Sequence, residues 1–229
     1  MPPAARLDAM DELNFLTRIH TSTKRDYVQR VVDYDKVECA SVASQWGYDY
    51  WDGDRKYGFG GYKYDGRWRP VAEEMADHYN LKPGQKVLDI GCGKAFLLYE
   101  FTQAVPGLQV CGIDISDYGI QNAKEEVREF LEIGSCVNLP YGDNEFDFVY
   151  SLNTLHNLKN FELADAVREL NRVSKGPAYI CIESFRNEKE KVNLLYWQLT
   201  CRSFYDTEEW KWILAQQGYD GDIGFIFFE

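Results

Sequence analysis

The chain has 229 residues, enough for one α/β domain with a buried core and some decoration, and little for a second full domain. Lys and Arg total 25 against 37 Asp and Glu, a net charge of -12; that excludes the long basic track a nucleic-acid polymer needs and leaves room only for a local basic pocket. Six cysteines (Cys39, Cys92, Cys111, Cys136, Cys181, Cys201) are scattered without a C-x-x-C pair, a pattern of reduced core thiols in a cytoplasmic protein, so neither a disulfide framework nor a metal is expected.

The first 22 or so residues are polar, lack the apolar core of a signal peptide, and carry a short amphipathic piece, Leu13, Phe15, Leu16 and Ile19, suited to packing on the main body or on a partner. No run approaches membrane-spanning length. Helical spacing follows over 34–46, with Val37, Ala40, Val42, Ala43 and Trp46 apolar. Over 47–68 every period is lost, and glycines and aromatics alternate with charges. Loops this long are disordered or functional, and aromatic content this high argues against disorder. Pro70 suits the first turn of a helix over about 71–79. Pro83-Gly84 then bounds Val87, Leu88 and Ile90, a run fit for a buried parallel strand. Gly91 and Gly93 carry no Cβ, so the backbone there can turn sharply and come close to a ligand. A helix over about 94–104 points its free N–H groups at the same spot. Such a strand-turn-helix binds a nucleoside-bearing cofactor. A dinucleotide fingerprint would need a third glycine where Phe96 stands. The next strand, 108–113, ends on Asp114, an acid about 20 residues beyond the turn, where a carboxylate can hold a ribose diol.

Asp89-Ile90-Gly91-Cys92-Gly93 reads acid, apolar, Gly, any, Gly, and here the chain resembles the class I S-adenosylmethionine (SAM) dependent methyltransferases, in particular the type 11 small-molecule group. The resemblance implies an α/β fold, a doubly wound, Rossmann-like, mostly parallel sheet with helices on both faces. The SAM-binding domain is expected over 81–229, with 1–80 a helical and aromatic cap that is not an independent domain. It implies SAM as cofactor and S-adenosylhomocysteine as product. Asp89, Gly91, Cys92, Gly93, Asp114, Ile115, Ser135, Cys136 and Asn153 are the implied cofactor contacts. The stretch 134–147, with Leu139-Pro140 and Phe146-Asp147, is similar to the family's block around the adenine ring. Ser135 stands where the family commonly has an aspartate, so adenine binding is expected to rest on backbone groups near Cys136 and on packing by Ile115 and Leu139.

Downstream, Ser116 can cap a helix with Ile120, Ala123 and Val127 on its inner face. A strand over 148–152, the loop Asn153-Thr-Leu-His-Asn157, a helix over about 162–173, a strand over 178–182 and a helical stretch over about 189–200 follow. Thr207 opens the last helix and Gly218 closes it; the tail offers one strand, with a short hairpin at Gly221-Asp222, where the family's sheet ends on an antiparallel pair. In open α/β sheets ligands bind beyond the carboxyl ends of the strands, and the candidates come from there. His156, read as an imidazole near its normal pKa, is the foremost general base, with Asn153 and Glu183 beside it as catalytic candidates; the plainer alternatives are that His156 caps the next helix or packs under the cofactor and that Glu183 is a simple strand-end cap. Tyr57, Tyr62, Tyr64 and Trp197 are candidates for a lid over the acceptor, against the alternative of a static cap. Arg67 and Arg186, with Arg55 and Lys63, could hold an anionic group, or be solvated surface charges.

The expected function is methyl transfer to an oxygen, or a nitrogen, of a small hydrophilic anion such as a sugar phosphate or nucleotide-linked precursor. A looser whole-chain likeness to bacterial methyltransferases of surface-polysaccharide biosynthesis, carried by the 50–62 segment, points the same way. A methyltransferase-like binding protein without chemistry stays open, because of Ser135 and because Ala95 replaces the last glycine of the loop. A nicotinamide-dependent reductase is disfavoured by Phe96 and by the lack of a Tyr-x-x-x-Lys pair. The expected partner is a small molecule, with neither nucleic acid nor membrane; a homodimer is left open.

Overall fold

β1 (Lys86–Ile90), the strand before the glycine turn, lies in the middle of a six-stranded sheet of order β3-β2-β1-β4-β5-β6. The structure, a computed structural model, describes residues 10–20 and 26–229; the remainder of the polar N-terminal stretch read above lies outside the described residues. The other strands are β2 (Gln109–Asp114), β3 (Leu131–Ile133), β4 (Phe148–Leu152), β5 (Ala178–Ser184) and β6 (Asp222–Phe227), and each pairs in parallel with its neighbours.

β1, β4 and β5 are mostly apolar and almost wholly buried because helices cover both faces of the sheet. Side chains alternate between the two layers, as a pleated strand requires. Val87, Phe148, Tyr150, Tyr179 and Cys181 join one cluster with Met75, Leu98 and Phe101, from α5 (Arg69–His78) and α6 (Phe96–Ala104). Leu88, Ile90, Val149, Ile180 and Ile182 join the other with Leu163, Val167, Leu170, Trp210 and Leu214, from α8 (Asn160–Val173) and α10 (Thr207–Gln216). The strand order reverses between β1 and β4, and that switch point opens a crevice at the carboxyl ends of both strands.

Four details depart from the sequence reading. The helix capped by Ser116, α7 (Asp117–Gln121), stops early, because Gly119 and Asn122 are poor helix formers; Ala123 and Val127 are nonetheless buried in the turns that follow. β3 was not anticipated: three residues, partly exposed at a sheet edge and interrupted by Glu132, leave no apolar signature. α10 is opened by Asp206, in a capping box with Glu209, and not by Thr207. The tail forms no hairpin; β6 runs parallel to β5 from Tyr179↔Asp222 to Ser184↔Phe227. Its outer side is covered by the N-terminal segment, where the Leu13 N–H donates to the Ile223 carbonyl (2.8 Å) and the Ile223 N–H to the Asp11 carbonyl (2.9 Å). That pairing blunts an otherwise open edge. Phe15 and Leu16 are buried there, so this amphipathic piece packs on the main body. Among the described residues no helix is long and apolar enough to cross a membrane.

Ahead of the sheet lie α1 (Thr17–His20), α2 (Tyr27–Asp33), α3 (Lys36–Ala43) and α4 (Tyr48–Trp51); α9 (Glu188–Trp197) packs on α2. The helical stretch expected over 34–46 shortens to α3, since Trp46 turns left-handed at φ 53°, and Val37 faces solvent.

Candidate active site

A cleft of about 800 Å³ opens at the switch point, within the range of small-molecule sites. Asp89, Gly91, Cys92, Gly93, Asp114, Ile115, Ser135, Cys136 and Asn153 line it, as do His156, Glu183, Tyr62, Arg67 and Trp197.

Asp114 ends β2 with both oxygens engaged by backbone: Oδ2 accepts from the Gly93 N–H (2.8 Å) and Oδ1 from the Ser116 N–H (2.7 Å). Burial pushes its pKa up, and those two donors oppose the shift. Asp89 is more deeply enclosed. Burial raises its pKa to about 8 while the Tyr150 hydroxyl, donating at 2.9 Å, works against that rise. The glycines serve the chain itself as much as a ligand. Gly91 (φ 83°) and Gly93 (φ 53°) are left-handed; a Cβ on Gly91 would lie 2.0 Å from Thr154 Oγ1, and one on Gly93 would lie 2.5 Å from the Trp51 ring. Ala95, where the loop lacks its last glycine, is also left-handed (φ 55°), which costs an alanine roughly 1–2 kcal/mol.

Trp51 brings the cap onto this turn. Its Nε1 donates to Ser116 Oγ (2.8 Å), and that hydroxyl donates to the Trp46 carbonyl (2.6 Å). Phe59 stacks on Trp51 at 5.3 Å, and Tyr62 lies between Phe59 (4.5 Å) and Phe96 (4.9 Å). Beneath the rings, the ammonium of Lys94 is bound by both Asp52 oxygens (2.8 and 2.6 Å) and by the Tyr62 carbonyl (2.9 Å). The Tyr118 hydroxyl donates to the same carboxylate (2.8 Å). The aperiodic segment is therefore an ordered cap bolted to the Gly91–Gly93 turn. Sequence reading missed Trp51, Asp52 and Lys94 as site-building residues. A tryptophan followed by an acid inside a glycine-aromatic run was the one available signal.

His156 and Glu183 meet at the far end of the cleft. His156 is 2% exposed, and burial alone takes its pKa down to about 3, against the near-normal value expected from sequence. Its Nε2 lies 3.6 Å from Glu183 Oε2, too far for a hydrogen bond that would offset the burial, and its Nδ1 has no hydrogen-bond partner among the described residues. Glu183 accepts from the Gln198 side chain. Asn153 is left-handed (φ 54°), and its Oδ1 is buried with no hydrogen-bond partner among the described residues.

Three substrate candidates do not line the cleft. Arg186 is drawn away by Glu190 and Glu229 and lies over the Phe227 ring, 4.1 Å from its centroid. The Tyr57 hydroxyl donates to Glu38 (3.1 Å), and Tyr64 points to Glu100 while packing on Phe96 and Tyr99. Arg67 does line the cleft, but its guanidinium is paired with Asp65.

Residues 81–218 match the methyltransferase domain family. The demethylmenaquinone methyltransferase of Staphylococcus saprophyticus is 36% identical over 124 residues, 51% of each chain. The 24-methylenesterol C-methyltransferase 3 of Arabidopsis thaliana is 34% identical over 129 residues, 52% of this chain and 35% of that one. This chain spans about half the length of the first of these relatives and about a third of the second. In fold it is similar to the [4+2]-cyclase SpnF (TM-score 0.53, 20% identity, 91% of this chain and 73% of that one) and to YcgJ of Bacillus subtilis (0.53, 20%, 64% and 66%). Since the family match covers more than half of the sequence, the chain belongs to the methyltransferase domain family.

Proposed function

We propose that the enzyme methylates an oxygen, or a nitrogen, of a small hydrophilic acceptor that carries an anionic group, held under the aromatic cap. The observation that carries this reading is the charge of the cleft. Six Lys and Arg side chains line it (Arg30, Arg55, Lys63, Arg67, Lys159, Arg202), of which Arg67 is paired with Asp65, against four acids (Asp89, Asp114, Glu162, Glu183), in a chain where acids outnumber bases 37 to 25. Two of those acids belong to the cofactor end. A positive concavity in a negative protein draws a small anion. The aromatic walls suit a sugar ring or a base, since such rings stack without many hydrogen bonds. Sugar phosphates and nucleotide-linked precursors, including those of surface polysaccharides, belong to this class.

The residues at the cofactor end fit SAM. Each Asp114 oxygen has accepted one backbone N–H and retains capacity for the ribose diol. The unpartnered Oδ1 of Asn153 is an acceptor suited to the ammonium of the methionine part. Ile115, 55% exposed, offers an apolar face to adenine beside Ser135 and Cys136, and Gly91, Cys92 and Gly93 form the floor. When bound, SAM supplies an electrophilic methyl group on a sulfonium. The chain's own residues position the acceptor and exclude water, which accounts for much of the rate in such displacements. Glu183 takes the acceptor's proton, while buried His156 stays neutral beside it. The same reading places the enzyme in the cytoplasm, where its six free cysteines stay reduced.

A second reading has its own support. The named relatives act on a demethylmenaquinone and on a sterol, and Tyr50, Phe59 and Trp197 would equally flank a neutral apolar ring. Incubating the enzyme with labelled SAM and a panel of sugar phosphates, nucleotide sugars, quinols and sterols separates the two. Turnover of the anionic members is expected, and turnover of only the neutral apolar ones would overturn the first reading. Independently, Asp114→Ala is expected to weaken SAM binding by about 1–3 kcal/mol in calorimetry, with an unchanged circular dichroism spectrum. Native affinity in that variant would remove Asp114 from the ribose.

A further inference from the structure

Arg30, on α2, stands where the rim of the cleft meets a small recess, and it lines both. Its guanidinium lies over the Trp197 ring, 4.6 Å from the centroid, with the Arg55 guanidinium 5.2 Å from the same ring. Two of its five N–H donors are spent on backbone carbonyls, those of Arg55 (3.4 Å) and Lys56 (3.2 Å). The recess adds two more cations. Lys36 donates to the Leu195 carbonyl, and Lys56 lies over the Tyr57 and Tyr34 rings, 4.7 and 6.0 Å from their centroids. Among the described residues, Arg30 and Lys36 thus touch carbonyl dipoles and a ring face, not carboxylates, while Lys56 is more exposed, with Asp54 and Glu38 near it. A neighbouring acid, Glu38, takes a hydrogen bond from Tyr57.

Cations half sunk among neutral groups lose hydration without recovering it from a counter-charge. Arg30 and Lys36 both show this: burial is the leading cause that lowers their pKa values, and their mutual repulsion also lowers that of Lys36. Three cations gather at this corner, where Arg30 lies on the Trp197 ring of α9 and Lys36 reaches its Leu195 carbonyl, in a chain with a net charge of -12. We propose that Arg30, with Lys36, Arg55 and Lys56, forms a subsite for a phosphate group of the methyl acceptor, with the Trp197 ring as a platform at its mouth. The guanidinium fork suits paired phosphate oxygens, and the flanking ammonium groups match a charge near -2. This rests on the reading of the cleft as an anionic-acceptor site and names the residues that read the anion; Arg67 and Arg186, the arginines singled out from sequence, are already paired with acids.

Inorganic phosphate and pyrophosphate, titrated calorimetrically into the native protein, Arg30→Gln and Lys36→Gln at low salt, test the subsite, with S-adenosylhomocysteine as the control ligand. Pyrophosphate is expected to bind the native protein, more weakly as salt rises, and at least about tenfold more weakly in either variant, with S-adenosylhomocysteine affinity unchanged. Absence of anion binding to the native protein, or equal affinity in both variants, would overturn the proposal. If Arg30→Gln loses S-adenosylhomocysteine binding as well, the comparison passes to Lys36→Gln, whose side chain supports less of the fold. The two levels fail separately. Anionic acceptors methylated with an unchanged KM by both variants would overturn the subsite and keep the anionic-acceptor reading. Arg30-dependent pyrophosphate binding in an enzyme that methylates only neutral rings would overturn the assignment to the acceptor.

Discussion

Asp52→Ala is expected to lower the stability of the protein by about 3–5 kcal/mol, the usual result of stranding one member of a buried ion pair. Lys94 is 5% exposed and Asp52 20%, so neither charge is reached freely by water. With Asp52 removed, the ammonium keeps only the Tyr62 carbonyl, and the Tyr118 hydroxyl loses its acceptor. Lys94→Met, which removes the charge and keeps an apolar stem, is expected to be milder, and the double variant should recover part of the loss. Urea unfolding of the four proteins measures this, and an Asp52→Ala midpoint equal to the native one would sink it. The pH dependence follows. Burial opposes the Asp52 charge, but hydrogen bonds from Lys94 and Tyr118 outweigh it, and the folded pKa lies below the ordinary carboxylate value of 3.8. A lowered folded pKa means stability that is present above about pH 4 and lost as the pH falls through the folded value. The native protein should lose this increment in acid, and Asp52→Ala should not.

The parts of this chain that could be read from the sequence are those coded within a few adjacent residues. Val87 to Gly93 specifies strand, turn and ligand approach in one run, and Asp114 follows one strand later. The apolar runs of β4 and β5 are as explicit, because a strand buried on both faces is apolar along most of its length. What escaped depends on pairing across the chain. Asp52 and Lys94 are 42 positions apart, and neither alone announces a bond to the other. The parallel course of β6 follows from its register on β5 and its cover by 11–13, neither of which a terminal apolar run encodes. Arg186 is different: Glu190 stands four residues on, at helical spacing, so its capture by an ion pair was legible and was passed over. For His156 the missing quantity was burial, which moves an imidazole further than any neighbour visible in Asn153-Thr-Leu-His-Asn157.

That burial decides the second large effect. Glu183→Gln is expected to lower kcat by about 10²–10⁴, the range a positioned general base contributes, while SAM affinity stays native. The amide keeps the shape of the side chain at the end of β5 and lacks only the capacity to take a proton. His156 is a poor substitute: burial takes its pKa down to about 3, so it has little affinity for a proton at neutral pH, and its ring is 2% exposed on a backbone whose carbonyl accepts from the Arg202 and Ser203 N–H groups (2.9 and 3.0 Å). The native rate should therefore show no inflection near the ordinary histidine value of 6.5. The measurement is single-turnover methylation across pH 5 to 9 with the acceptor the panel identifies, for native enzyme, Glu183→Gln and His156→Asn. An acid limb near 6.5 that vanishes in His156→Asn would return the proton to His156. Near-native turnover by Glu183→Gln would leave the enzyme without a base on this strand, and positioning alone would have to carry the reaction.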